Sequence, residues 1–104
     1  MGEFVRVATV SEIPESGLLG VELAGRPVVL ARVEDTILAL DGICSHAEAK
    51  LAEGSLFEGC LMCPVHGVEF DVRTGAAITL PAVDAIRVYQ VRVDHGDVYI
   101  ASHG

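Results

Sequence analysis

Short runs of Val, Ile, Leu and Thr, each closed by turn residues, dominate the hydrophobic pattern of this chain. Runs of this composition, in which apolar and polar residues alternate, are typical of strands with one buried face. The pattern predicts strands over residues 4–9, 18–23, 28–33, 36–40, 86–93 and 97–101. No segment keeps a helical period over twelve residues, and residues 47–51 would form one short helical turn at most. We therefore expect an all-β protein.

Two pairs of these strands are separated by glycine-containing segments that are typical of hairpins. The segment 24–27 separates one pair, and Asp94-His95-Gly96 separates the other as a three-residue loop with glycine in the left-handed conformation. Short strands at close spacing favour an antiparallel sandwich or barrel. Residues from about 41 to 81 break the pattern, because they are rich in Gly and carry all three Cys. We expect one domain over residues 1–104, with 41–81 inserted between strands.

Charge and composition exclude several classes of function. With 7 Lys and Arg against 15 Asp and Glu, the formal net charge is −8, which argues against a nucleic-acid partner. The longest apolar stretch, 18–33, is broken by Glu22, Arg26 and Pro27, so no membrane segment is predicted. Three Cys are too few for a secreted disulfide framework, and the first residues do not resemble a signal peptide. We expect a cytoplasmic protein in which Cys serves metal or redox chemistry.

Two short motifs, Cys44-Ser45-His46 and Cys63-Pro64-Val65-His66, lie sixteen residues apart. Each motif offers one thiolate and one imidazole from a segment short enough to be a single loop. In a Rieske [2Fe–2S] centre, two Cys bind one iron and two His bind the other. A tetrahedral Cys₂His₂ zinc site is the alternative, but its usual spacing pairs Cys with Cys and His with His. The mixed pairs therefore favour an iron–sulfur cluster over zinc.

The third cysteine, Cys60, forms a Cys-x-x-Cys string with Cys63. Such a string is also found in thiol redox pairs, and it would allow a Cys₃His zinc site. If residues 59–62 form a strand, alternation places Cys60 on the face opposite Cys63. The simplest interpretation is a buried Cys that packs with Met62 and binds no metal.

Taken together, the motifs 44–46, 63–67 and 70–75 and Pro81 resemble those of the Rieske ferredoxins of bacterial ring-hydroxylating dioxygenase systems. The resemblance covers nearly the whole chain. It implies a Rieske-like antiparallel β-sandwich with an inserted two-loop cluster-binding subdomain. It also implies one [2Fe–2S] Rieske cluster.

The resemblance implies a ligand for each position of the cluster. Cys44 and Cys63 would bind the inner iron, and His46 and His66 would bind the outer iron near the surface. Neutral imidazoles reduce the negative charge at the outer iron, so the added electron is expected to settle there.

Four residues near the ligands indicate which kind of Rieske protein this is. High-potential members of the family carry two further Cys as a disulfide, at positions that match Ala49 and Val65. They also carry a Ser and a Tyr whose hydroxyls bond to sulfur, at positions that match Val68 and Phe70. Without these groups we expect a low potential, about −150 mV, at the low end of the Rieske range.

The function implied by the resemblance is that of an electron carrier and not of an enzyme. Its partners would be a flavin-dependent NAD(P)H ferredoxin reductase and a terminal Rieske non-haem iron oxygenase, and we expect a monomer. Only His95 and His103 remain for a second iron site, and both are expected in surface segments. The alternative is a Rieske-like small subunit of an assimilatory nitrite reductase. A docking collar is expected at Ala47, Leu51, Pro64, Val65 and Pro81, ringed by Glu48, Glu53 and Glu58.

Overall fold

The computed structural model describes residues 3–43, 50–64, 68–78 and 86–101. Within these ranges every long element is a strand, and two single 3₁₀ turns occur at Val10–Glu12 and Leu51–Glu53. The strands are β1 (Val5–Thr9), β2 (Leu18–Leu23), β3 (Arg26–Val33), β4 (Thr36–Asp41), β5 (Ser55–Phe57), β6 (Cys60–Met62), β7 (Glu69–Asp71), β8 (Val88–Asp94) and β9 (Asp97–Ala101). No helix among the described residues is long and apolar enough to cross a membrane.

In the described part of the chain, all strand pairs are antiparallel, and they form two sheets. Six strands follow the order β1-β9-β8-β4-β3-β2, and β5, β6 and β7 form a separate sheet in that order. The large sheet has two halves, which meet where β4 pairs with β8 through Ala39 with Tyr89 and Leu40 with Val88. Side chains of β3 and β4 share one apolar core with side chains of β1, β8 and β9, so the two halves pack face to face, and the predicted antiparallel β-sandwich is confirmed.

The hairpin between β8 and β9 is tighter than the sequence pattern suggested. Asp94 pairs with Asp97, so the turn consists of two residues and the expected three-residue loop is wrong. His95 and Gly96 both have positive φ, 52° and 81°. A two-residue turn of this kind matches the right-handed twist of the flanking strands, which explains why it replaces the longer loop.

The hairpin between β2 and β3 has the same form. Ala24 and Gly25 have φ values of 53° and 82°, and β3 begins at Arg26, two residues earlier than predicted. Pro27 therefore lies within a strand, opposite Glu22.

Strand β3 is buried on both faces and separates two apolar cores. Its consecutive residues Val28, Val29, Leu30 and Ala31 are at most 1% exposed, and they alternate between the cores. The first core, here the scaffold core, contains Ala8, Ile13, Val28, Leu30, Ile37, Ala39, Tyr89, Val98 and Ile100. The second, here the insert core, contains Leu18, Val29, Ala31, Leu40, Leu51, Leu61, Cys63, Val68, Phe70, Val72 and Ile86.

The small sheet lies between β4 and β8 along the chain, and its inner face covers the β2–β3–β4 half of the large sheet. The backbone N–H of Asp41 donates to the carbonyl of Arg87 over 2.9 Å. The two ends of the intervening segment are therefore adjacent. The boundaries 41–81 for a cluster-binding subdomain within a single domain 1–104 stay a prediction.

Candidate metal centre

Of the four predicted ligands, the structure describes Cys63. Cys44, His46 and His66 lie outside the described residues, as do Ala47, Ala49, Val65 and Pro81. The geometry of the site therefore rests on Cys63 and on the segments that lead into and out of the two loops.

The second loop is closed by a hydrogen bond at its base. The backbone N–H of Cys63 donates to the carbonyl of Val68 over 2.7 Å, so residues 64–67 span a short gap between paired positions. Cys63 directly follows β6 and is buried, at 1% exposure, whereas the next residue, Pro64, is exposed. The base of this loop is thus buried, and the chain reaches the surface one residue later.

The residues on either side of the first predicted loop, 44–49, are paired in a similar way. Ile43 and Lys50 form an isolated antiparallel bridge, and the N–H of Leu51 donates to the carbonyl of Gly42 over 2.8 Å. Gly42 in turn donates to the carbonyl of Pro27 over 3.0 Å, which ties this base to β3. Cys44 immediately follows the paired residue Ile43 in the sequence.

The described residues that border the two predicted loops meet at one end of the small sheet. Ser55, Met62 and Glu69 lie side by side across β5, β6 and β7. Residues 50–54 connect the first predicted loop to Ser55, and residues 63–68 connect Met62 to Glu69. The backbones meet closely here, since a Cβ on Gly54 would lie 1.9 Å from the carbonyl oxygen of Met62. The topology therefore brings the bases of the two predicted ligand loops together.

The surroundings of Cys63 fit a metal-bound thiolate. Leu61, Val68 and Phe70 are 0% exposed and belong to the same insert core. A thiolate in such apolar surroundings is unfavourable unless a cation compensates its charge. Thiolates are preferred ligands of iron–sulfur clusters, so a buried Cys at the base of a loop suits that role. Among the described residues, no three His, Cys, Asp or Glu side chains group together as a metal site.

Cys60 lies on the other face of β6. Leu61 is 0% exposed and Cys63 is 1% exposed on the inner face, whereas Met62 is 39% exposed on the outer face together with Cys60. The predicted alternation is confirmed. Cys60 is half-buried, so the expectation of a buried Cys was wrong, because the outer face of the small sheet faces solvent.

Sequence reasoning missed a polar link below the first loop. The hydroxyl of Tyr89 donates to Asp41 Oδ1 over 2.7 Å, and the N–H of Arg87 donates to Asp41 Oδ2 over 3.1 Å. Burial raises the pKa of Tyr89 above its ordinary value, and the hydrogen bond to the Asp41 carboxylate adds to the effect. Tyr89 and Asp41 lie 48 positions apart, so no local sequence pattern predicts their contact.

The expected docking collar needs one correction. Leu51 is 0% exposed and packs in the insert core, so it belongs to no surface collar. Its place in the 3₁₀ turn directs the side chain inward. Pro64 is exposed as expected, and Ala47, Val65 and Pro81 lie outside the described residues.

A family model described as the Rieske [2Fe-2S] domain matches residues 3–90. The chain belongs to the Rieske family. A domain of this family holds one Rieske [2Fe–2S] cluster, in agreement with the cofactor expected from the two motifs. Cys63, the described member of the motifs, occupies a site whose chemistry fits that cluster.

Similar proteins are named as ferredoxin components, which are electron carriers and not enzymes. The ferredoxin component of a naphthalene 1,2-dioxygenase system from Pseudomonas aeruginosa is 35% identical over 98 residues, covering 94% of each chain. The anthranilate 1,2-dioxygenase ferredoxin subunit from Burkholderia cepacia is 37% identical over 75 residues, covering 72% of this chain and 69% of that one.

Solved structures agree with these relatives. The ferredoxin of carbazole 1,9a-dioxygenase from Nocardioides aromaticivorans IC177 superposes with a TM-score of 0.88 at 37% identity, covering 96% of this chain and 98% of that one. A chain in a complex of reduced oxygenase and oxidized ferredoxin in carbazole 1,9a-dioxygenase superposes with a TM-score of 0.85 at 32% identity, covering 94% and 92%.

Proposed function

We propose that this chain is the ferredoxin of an aromatic-ring dioxygenase system. It passes single electrons from a flavin-dependent NAD(P)H reductase to a terminal Rieske non-haem iron oxygenase. The observation that carries this proposal is the match to ferredoxin components over nearly the full length of both chains. A single domain of this size holds one cluster and exchanges electrons with larger partners at its surface.

The proposed ligands are Cys44, His46, Cys63 and His66. Support comes from the buried position of Cys63 and from the two loop bases that meet at one end of the small sheet. A cluster bound there supplies a reversible one-electron couple. The chain holds the two loops through the bridge of Ile43 with Lys50 and the bond from Cys63 to Val68, and so fixes where the ligands start.

We further propose that the site has a low potential. Val68 and Phe70 are 0% exposed and carry no hydroxyl that could donate to a ligand sulfur. An apolar environment disfavours the additional negative charge of the reduced state, which lowers the potential. The expected value is about −150 mV, at the low end of the Rieske range.

The partners and the location complete the proposal. A terminal oxygenase partner is supported by the complex of a related ferredoxin with its oxygenase. We also propose a reductase partner, which the family implies, a cytoplasmic location, and a monomeric state, which the formal charge of −8 favours because it opposes self-association.

The alternative, a small subunit of a nitrite reductase, is less well supported. One such subunit, described as that of a putative NADH-dependent nitrite reductase from Mycobacterium tuberculosis, superposes with a TM-score of 0.88. Its identity of 20% supports a common fold alone. Stable copurification with a large reductase subunit would favour this alternative.

The test begins with the cluster-loaded protein. Its visible absorbance and the EPR spectrum of the reduced form should be those of a Rieske centre, and zinc would give neither. Turnover is then measured with NADH, a flavoprotein ferredoxin reductase, and the oxygenase components of naphthalene and carbazole dioxygenase systems. We expect product formation to depend on this chain; if no oxygenase accepts its electrons, the proposed function is wrong.

Two cysteine variants provide a matched pair. Cys63→Ser should lose the Rieske spectrum, because it removes a proposed ligand. Cys60→Ala should keep the spectrum, since Cys60 lies on the outer face of β6. Loss of the spectrum in Cys60→Ala, or its retention in Cys63→Ser, would contradict the proposed ligand set.

A further inference from the structure

The outer face of the small sheet is an exposed surface next to the two loops. Cross-strand neighbours in an antiparallel sheet project to the same side. One row across the sheet contains Ser55, Met62 and Glu69, and Ile78 follows it because its N–H donates to the carbonyl of Glu69 over 2.8 Å. The second row contains Phe57, Cys60 and Asp71.

Three large apolar side chains on this face are exposed to solvent. Phe57 is 74% exposed, Ile78 53% and Met62 39%. Among the described residues, the other large apolar side chains with high exposure are Val5 and Val93 in the six-stranded sheet and Phe4, which precedes β1. Single exposed apolar residues need no explanation, but several on one three-stranded face mark an interaction surface. We call Phe57, Met62 and Ile78 the outer patch.

Acidic side chains surround the outer patch. Glu69 and Asp71 stand at the β7 side of the face, and Glu58 follows Phe57 in the turn between β5 and β6. The strands β5, β6 and β7 carry no basic side chain, and a basic residue near the rim, Arg73, follows β7 and borders the same recess as Glu58. Two copies of this chain would bring like charges together, and each copy has a formal net charge of −8. The charges therefore favour a partner with basic residues around an apolar centre, and disfavour a second copy.

We propose that the outer patch docks against the terminal oxygenase, with Phe57 as its apolar anchor. This inference rests on the proposed function. It commits to the oxygenase because a related ferredoxin is known in complex with an oxygenase. The row of Met62 and Ile78 lies at the end of the sheet next to Cys63 and Val68, so a partner on the patch would also be close to the described part of the candidate metal centre.

The energetics of a transient redox complex fit a patch of this size. Electron-transfer encounters use small interfaces, and a few aromatic or apolar residues carry most of the binding energy. Phe57 is the largest side chain of the patch and the most exposed. Phe57 therefore contributes the most binding free energy when a partner covers it. Its removal should change the stability of the folded chain little, because the side chain has few contacts within the chain.

The test compares two phenylalanines. The cluster-loaded Phe57→Ala variant is titrated with the terminal oxygenase that accepts electrons from the wild type, and the Kd is measured by calorimetry. We expect binding to weaken about tenfold, with the EPR spectrum and the potential unchanged. Phe4→Ala is the matched control, since Phe4 is 40% exposed and precedes β1 in the large sheet. Ile78→Ser provides a second variant in the patch and should weaken binding in the same direction.

A charge variant tests the acidic rim. Glu58→Gln should reduce the dependence of the Kd on salt, because steering by exposed charges is screened by ions. Glu3→Gln, an exposed carboxylate ahead of β1, is the control and should leave that dependence unchanged.

Several results would overturn the docking proposal. The proposal is wrong if Phe57→Ala binds the oxygenase with an unchanged Kd, or if Phe4→Ala weakens that binding equally. It is also wrong if Phe57→Ala weakens binding to the reductase and not to the oxygenase, or if the wild type forms dimers that the Phe57→Ala substitution dissociates. If oxygenase turnover with the wild type is normal, such results reject the docking surface alone. If no oxygenase accepts electrons from the wild type, the proposed function fails, and the docking proposal fails with it.

Discussion

Replacing Gly54 with alanine should separate the two loops of the candidate site. A Cβ at this position would lie 1.9 Å from the carbonyl oxygen of Met62, whereas real Cβ contacts essentially never fall below 3.0 Å. The backbones of residues 54 and 62 would therefore have to move apart by about 1 Å at least. The obstructing atom belongs to the backbone of β6, so no side-chain rotation can relieve the contact.

The expected cost follows from that geometry. Overpacking of a close contact costs about 1–3 kcal/mol. Disturbing the adjacent pairing of Ser55 with Met62 adds about 1 kcal/mol for each hydrogen bond lost. We expect the free energy of unfolding to fall by about 3 kcal/mol, a large part of the 5–15 kcal/mol typical of a domain. The urea midpoint should fall by about 2 M.

The assay is urea unfolding of the cluster-loaded protein under anaerobic conditions, followed by circular dichroism and by cluster absorbance. Gly59→Ala, in the turn between β5 and β6, is the matched control. Gly59 has a φ of 79° and nothing within 4 Å of an added Cβ, so its cost is only the backbone strain, about 1 kcal/mol. If Gly54→Ala lowers the free energy of unfolding no more than Gly59→Ala does, the close approach of residues 54 and 62 does not require glycine at position 54. That result would refute the prediction.

Two further predictions concern the cluster environment and the polar link at Asp41. Val68→Ser should raise the reduction potential by about 40 mV relative to Val68→Ala, because a hydroxyl donor stabilises the more negative reduced state. Phe70→Tyr should likewise raise the reduction potential relative to Phe70→Leu. Equal potentials within each pair of variants, measured by EPR-monitored titration, would reject the hydrogen-bond argument. Tyr89→Phe should cost about 1 kcal/mol near neutral pH, because it removes the bond to Asp41. Since folding raises the pKa of Tyr89, the wild type should lose stability as pH rises beyond about 10, and the variant should lose less. Parallel unfolding curves for the two proteins from pH 8 to 11 would contradict this assignment.

Much of the fold was predictable because the strands carry their own local pattern. The predicted strand over residues 28–33 is part of β3, and the expected insertion between strands contains the whole small sheet. The four consecutive buried residues Val28 to Ala31 also indicate burial on both faces, since a half-buried strand would alternate. The alternation argument placed Cys60 and Cys63 on opposite faces of β6, as found.

The remaining features depend on contacts between distant parts of the chain. The expectation of an exposed Leu51 was wrong because the small sheet folds back over β3 and buries it. The bond between Tyr89 and Asp41 depends on the pairing of β4 with β8, which no local window contains. Similarly, the need for glycine at position 54 follows from the approach of β6, and the local sequence does not indicate it.

The adjacent ends of the segment between Asp41 and Arg87 have a consequence for the evolution of the fold. Because a backbone hydrogen bond of 2.9 Å already joins these residues, the segment can lengthen or shorten without stretching the six-stranded sheet. The entropic cost of a longer closed loop grows only with the logarithm of its length. The strict requirement is a cover of apolar residues over Val29, Ala31 and Leu40, which would otherwise face water. Related proteins are therefore free to change the size and the ligands of this segment while they inherit the same scaffold.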